Sequence, residues 1–338
     1  MQSLMTPASN GTSRASAGRR SLLLATAGLL GAAALGGRSA RAEVIIQSLN
    51  MFIPAAPGGG WDGLGRAMEL VARQNGLVGS MQFENVGGAG GMVGLPRFIS
   101  QRKGRADNLM IGGSVMVGAA LSNKSPYSLK DVVPVARMTG EAGVIVVPAD
   151  SSFKTMGDLA AALKADPRSV PVAGGSAGGT DHILLGLIIK QLGRSAREAN
   201  YVAFAGGGPA QAAIMGGQVK AGIAGWSEFS EQVKAGRLRA LASSGEKRIE
   251  PDLPTLKEGG IDVLASNWRG VFAPPGVKPA DKETLVKFVT ALHALPAWKE
   301  LLQTRAWDDD FLAGEGFDAY VKSDITATEA VLKDLGLA

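Results

Sequence analysis

Apolar positions in this chain follow two alternating rhythms. Short runs such as 144–147 are continuously apolar and 49–53 is apolar but for Asn50, whereas longer runs such as 61–75 repeat every three or four residues. In 61–75, Leu64, Met68 and Val71 fall on one helical stripe and leave Arg66, Glu69 and Arg73 facing outward. Extending this reading predicts strands over 49–53, 81–86, 108–112, 144–147, 170–173, 201–204, 221–224, 239–242 and 269–273. It predicts helices over 61–75, 92–101, 156–165, 181–192, 209–215, 227–235, 281–294 and 316–335. Short strands separated by helices indicate an α/β protein with parallel sheets. Two stretches, 137–142 and 265–268, read as crossings between domains. They would divide the chain into 43–141 plus 266–338 and a second domain over 142–265. Two ordinary loops within one large sheet are the other reading.

The first 42 residues have a different pattern. Arg19-Arg20 precedes Ser21-Leu22-Leu23-Leu24 and an Ala/Leu/Gly run, and Ser39-Ala40-Arg41-Ala42 offers small residues where a signal peptidase reads. This is an export leader cleaved near Ala42, and the paired arginines point to the twin-arginine route over ordinary Sec export. An uncleaved N-terminal membrane anchor is the remaining reading, but the apolar run is shorter than a span of about 20 residues. The leader also accounts for the charge. The chain has 35 basic and 30 acidic residues, and Arg14, Arg19, Arg20, Arg38 and Arg41 supply the difference. The rest of the chain is balanced, so net charge gives no support for a nucleic-acid partner. There is no cysteine and only His182 and His293, which leaves no disulfide, no thiol chemistry and little for a transition metal. No metal and no cofactor is expected, and the product of export is a soluble periplasmic protein.

Candidate chemistry is concentrated where strands give way to helices through glycine. Pro54-Ala55-Ala56-Pro57-Gly58-Gly59-Gly60-Trp61-Asp62 ends a strand, bares the backbone and opens a helix whose first N–H groups are unpaired. Such a mouth holds a small anion without a metal or a cationic side chain. Gly174-Gly175-Ser176-Ala177-Gly178-Gly179-Thr180-Asp181-His182 repeats the arrangement, and two mouths point to a ligand with more than one carboxylate. Further turns of this kind are Gly112-Gly113-Ser114, Phe204-Ala205-Gly206-Gly207-Gly208-Pro209 and Ala224-Gly225-Trp226-Ser227-Glu228. The first run lacks the Lys-Ser/Thr of a P-loop, and Asn85-Val86-Gly87-Gly88-Ala89-Gly90-Gly91 has Val93 where a dinucleotide turn needs its third glycine. Gly174-Gly175-Ser176-Ala177-Gly178 also matches a nucleophile elbow, which would make Ser176 a hydrolase nucleophile. His182 lies on the same helix start, however, and His293 lies in an ordinary helix, so the base is poorly supplied. Asp62 and Asp181 sit just inside helix starts, either complementing the dipole and tying down the loop or meeting the ligand. Trp226 and Trp268 wall a pocket or fill a core. Arg269 pairs with an acid such as Glu141 or forks onto a ligand carboxylate.

Taken together, these runs resemble the substrate-binding proteins of the tripartite tricarboxylate transporter family. The resemblance is carried by the residues from Pro54 to Asp62, from Asn85 to Gly91, from Gly174 to His182 and from Phe204 to Pro209. It continues through Gly216-Gly217-Gln218-Val219, Glu246-Lys247-Arg248 and Leu253-Pro254-Thr255-Leu256-Lys257-Glu258-Gly259-Gly260, and ends in Trp268-Arg269-Gly270-Val271 and Ala273-Pro274-Pro275-Gly276. It implies a two-lobed, type II-like Venus-flytrap fold with parallel-rich sheets, flanking helices and two hinge crossings. It also implies a monomeric receptor without enzymatic activity, which closes over an organic acid and delivers it to a permease with a large and a small membrane subunit. The variant with Trp-Ser-Glu at 226–228 is similar to the tricarboxylate branch, so a citrate-like ligand is expected. Carried over, the ligand residues are Ala56, Gly58, Gly59, Gly60, Trp61, Asp62 and Ser114 from the first lobe. The second lobe would supply Ser176, Gly179, Thr180, Asp181, Gly206 and Gly207, and Trp226 and Arg269 complete the expected site. A sensor of the same fold, presenting ligand to a signalling partner, has the same sequence features.

Overall fold

The computed structural model describes residues 44–338, so the leader expected over 1–42 lies outside the described residues. Two mixed sheets with flanking helices form the frame. The first sheet has six strands: β1 (Ile46–Ile53), β2 (Val78–Asn85), β3 (Asn108–Gly113), β4 (Val133–Thr139), β10 (Arg269–Ala273) and β11 (Leu312–Ala313), in the order β11-β4-β10-β3-β1-β2. The second sheet has five: β5 (Gly143–Pro148), β6 (Val172–Gly174), β7 (Tyr201–Ala203), β8 (Ala221–Gly225) and β9 (Leu238–Ser243), in the order β7-β6-β8-β5-β9.

The expected parallel-rich character holds for only part of each sheet. β1 pairs parallel with β2 and β3, and β6 pairs parallel with β7 and β8, as strands joined through crossover helices do. β10 runs antiparallel to β3 and β4, and β5 runs antiparallel to β8 and β9. The reason is topological. The chain leaves the first sheet after β4, enters the second through β5, and returns from β9 to the first through β10. Each returning strand therefore runs against its neighbours. The two connecting segments lie side by side. Ala142 bridges Ser266, and the Asn267 N–H donates to the Glu141 carbonyl at 2.8 Å.

Strand β5 shows how one apolar run serves two faces. Val144 and Val146 pack into one cluster with Ala173, Ile214, Trp226 and Phe229, whereas Ile145 and Val147 pack on the opposite face with Val172, Leu185 and Ile223. The period of two puts alternate side chains on opposite faces, so a buried strand reads as continuously apolar. β3 is buried at every position for the same reason. The helices α1 (Gly60–Gln74), α2 (Gly94–Gln101), α3 (Ser114–Ser122), α4 (Met156–Ala165), α5 (Thr180–Gln191), α6 (Gly207–Met215), α7 (Trp226–Lys234), α8 (Pro279–Ala294), α9 (Pro296–Thr304) and α10 (Glu315–Leu335) cover these faces. On α1, Leu64, Met68 and Val71 are buried as their spacing requires, and Arg66 and Arg73 are exposed. Among the described residues, no helix is long and apolar enough to cross a membrane.

Candidate functional site

Away from the site, the start of α4 shows an ordinary side-chain cap. Thr155 and Asp158 form a reciprocal capping box at the start of α4. The helices α1, α5, α6 and α7 instead begin behind Gly59, Gly179, Gly206 and Gly225, none of which has a side chain to cap with. Their first N–H groups and the positive ends of their dipoles stay uncovered by the cap residue. Gly58 and Gly206 need glycine for its backbone, at φ +85° and +132°. Gly60 needs it for space, because a Cβ there would run into the Arg269 guanidinium.

Side chains buttress the turns from behind. Asp62 accepts hydrogen bonds from the Gly58 N–H at Oδ2 (3.2 Å) and from Asn85 Nδ2 at Oδ1 (3.0 Å), and Arg66 Nη2 lies 3.4 Å from the same Oδ1. Asp181 accepts from the Gly175 N–H at 2.8 Å, and Tyr201 Oη donates to the Gly175 carbonyl at 2.8 Å. His182 stacks on Tyr201, and its Nδ1 accepts from the Gly178 N–H at 3.1 Å. Both aspartates thus tie down their own loops, one of the two roles expected of them. His182 is committed to Gly178, and His293 pairs with Asp309 and Lys299. Neither histidine serves Ser176 as a base. Ser176 Oγ instead accepts the Gly90 N–H at 2.6 Å, a bond between turns that follow strands of different sheets.

These turns enclose one cleft with about 540 Å3 of atom-free space, open solvent included. Of the residues expected at the site, Gly59, Gly60, Trp61, Ser176, Asp181, Gly206, Gly207 and Arg269 line it. The others lie nearby without lining it. Ala56 and Gly58 belong to the same turn, with the Gly58 N–H given to Asp62. Asp62 is 8% exposed and supports that turn. Ser114 Oγ accepts the Trp268 N–H at 3.0 Å, so it fastens α3 to the return crossing. The Gly179 N–H goes to the Ser176 carbonyl, and Thr180 borders a smaller cavity beside Glu141 and Asn267. Trp226 packs in the core of the second sheet. The cleft also recruits residues that were not expected at the site, among them Glu228, Asn267, Gly88, Gly90 and Gly91.

The electrostatics centre on one cation. Arg269 is 1% exposed and ion-paired with Glu141, which is 0% exposed. Glu141 Oε1 also accepts from the Ser227 N–H (2.9 Å) and Oγ (2.7 Å). The pair therefore joins the outgoing crossing, β10 and the start of α7. Gly225 makes room for it, since a Cβ there would collide with the Glu141 carboxylate. Arg269 Nε and Nη1 have no hydrogen-bond acceptor in the protein. Glu228 lies 3.9 Å from Arg269. Burial first, with Glu141 and Asp181 adding to it against Arg269, pushes the Glu228 carboxyl up to about 8. Burial also pushes Asp181 up to about 6, opposed by its bond from Gly175.

The sequence profile of the family described as "Tripartite tricarboxylate transporter family receptor" matches residues 69–337. Protein BugT of Bordetella pertussis is similar at 32% identity over 242 residues, 69% of this chain and 72% of that protein. Among solved structures, the periplasmic binding protein BugD is similar with a TM-score of 0.77 at 23% identity, covering 86% of this chain and 98% of that one. MatC from Rhodopseudomonas palustris with bound malate gives a TM-score of 0.74 at 22% identity, covering 85% and 99%. At these identities the structural matches establish the shared fold.

Proposed function

Because the chain belongs to the tripartite tricarboxylate transporter receptor family, we propose that it captures a small organic polycarboxylate, citrate-like by the motif reading, and delivers it to a membrane permease with a large and a small subunit. The observation that carries this reading is the convergence of glycine-capped helix starts from both sheets on one cleft. The N–H groups at Gly59, Gly60 and Trp61, with those at Gly206 and Gly207 and the Ser176 hydroxyl, form a polar cradle for carboxylate oxygens. Each charge-assisted hydrogen bond contributes about 1.5–3 kcal/mol, so a few suffice for roughly micromolar affinity after ordering costs.

In this proposal 43–141 with 266–338 is one lobe and 142–265 the other. The two crossings act as the hinge, and closure over the ligand adds the second lobe's donors to the first's. The receptor works as a monomer in the periplasm after removal of residues 1–42. Ser176 serves as a donor or acceptor for ligand and loop, and the partners of both histidines favour this role over nucleophilic catalysis.

A thermal-shift panel tests the reading. Succinate, malate, adipate, citrate, amino acids and aromatic acids are offered to the mature protein. At a hundredfold excess over Kd, a bound ligand stabilises the fold by about 2.7 kcal/mol. At least one di- or tricarboxylate is expected to raise the melting temperature by several degrees. A flat response across the panel would reject an organic-acid receptor.

A further inference from the structure

We propose that Glu228 contacts the ligand and presents its carboxyl proton to a ligand carboxylate, so that capture of an organic acid takes up one proton with it. The inference rests on the receptor reading above and adds a specificity-determining group to it.

The geometry comes first. The Glu228 side chain lines the cleft and is 11% exposed, with Oε2 fully enclosed and without a hydrogen-bond partner. Oε2 lies where a Cβ of Gly207 would stand, and 3.9 Å from where a Cβ of Gly59 would stand. The carboxyl is thus set between the two mouths that would grip the ligand. A second carboxylate of a ligand held at Gly59 and Gly60 meets it there.

The charge inventory then fixes its form. Groups facing Glu228 come from four elements. Arg269 on β10 is engaged by Glu141 on the outgoing crossing, and Asp181 faces in from α5. The start of α6, Gly207-Gly208-Pro209, has no titratable side chain. Arg305, beyond Arg269, lies over Trp307. Three carboxylates therefore share one nearby guanidinium before any ligand arrives. An ionised Glu228 would repel an incoming polycarboxylate, whereas its acid form donates a hydrogen bond to it. Burial and the neighbouring acids already hold this carboxyl up to about 8, and a ligand anion raises it further. Below that value the proton is in place beforehand. Above it, the proton comes from solution as the complex forms, and no other bond changes.

The experiment is calorimetry on the mature protein with the tightest-binding of succinate, malate, adipate and citrate, from pH 7.5 to 9.5, above the last ionisation of each of these acids. Asp181, pushed up to about 6 by burial, titrates mainly below this window. Affinity should be nearly constant below pH 8 and fall about tenfold per pH unit above it. At pH 9, heats measured in two buffers of different ionisation enthalpy should show uptake approaching one proton. In Glu228→Gln, which keeps a donor but cannot titrate, the slope should vanish. A wild-type affinity constant across the range without proton uptake would overturn the proposal, as would a slope that persists in Glu228→Gln. So would tightest binding of L-aspartate that Glu228→Gln weakens, because Glu228 would then be reading a cation. In these three outcomes the receptor reading stands. If nothing in the panel binds, both fall.

Discussion

Arg269→Met is expected to lower the melting temperature of the ligand-free protein by roughly 10 °C and to abolish organic-acid binding. The pair it breaks is buried on both sides, with Arg269 1% and Glu141 0% exposed. Removing one partner of a buried pair costs about 3–5 kcal/mol, because the other charge is left without compensation. In a chain of this size each kcal/mol moves the melting temperature by about 2–4 °C. The loss is larger than for a surface pair because the Glu141 carboxylate also holds the first N–H and hydroxyl of Ser227, and Trp307 Nε1 donates to that hydroxyl at 3.2 Å. Arg269→Met combined with Glu141→Gln should recover part of the stability but none of the binding, since the cleft would still lack its cation. Differential scanning calorimetry of the two variants separates these contributions. Equal melting temperatures for Arg269→Met and wild type would show that the pair contributes nothing.

Gly118→Val should leave the fold intact and reduce ligand affinity about 10- to 100-fold. Gly118 lies on α3, which follows β3 of the first sheet, and a Cβ there would overlap the Gly178 carbonyl in the turn that follows β6 of the second. Gly118 has no positive φ, and valine is the better helix former of the two, so the helix itself accepts the change. The cost arises where α3 meets the Gly178 turn of the other sheet. Overpacking of this kind is worth about 1–3 kcal/mol, which is about one to two decades in affinity. Titration calorimetry measures the loss, and the melting curve of the ligand-free variant confirms that the protein folds. Unchanged affinity would mean that α3 and the Gly178 turn do not approach one another in the bound form.

The glycine mouths were legible in the sequence because each follows an apolar strand and precedes an amphipathic helix. Glu228 was not legible as a cleft residue. It is one of two acids on the polar side of α7, and its place depends on Gly207 leaving room beside it. That glycine is visible in the sequence, but which side chain fills the room is a tertiary fact. Trp226 went to the core because it lies on the face of α7 that packs with Phe229 and Ile214. β4 is hard to see in the sequence because Pro134 interrupts its apolar run and its end overlaps the stretch 137–142 that reads as a crossing. α3 is apolar on nearly every side, so no periodicity betrays it. Only Leu295 separates the end of α8 from the start of α9, and Pro296 marks that start as readily as it would mark a loop.

The account stands on main-chain donors of both sheets gripping a carboxylate, and the crystal structure of the mature protein with its tightest-binding organic acid tests this most directly. It should show carboxylate oxygens within hydrogen-bond reach of N–H groups at Gly59 to Trp61 on one side and of Gly206, Gly207 or Ser176 on the other. A ligand seated elsewhere, for example in the groove between Gly245–Arg248 and Gln303–Asp310 behind the crossings, would contradict it.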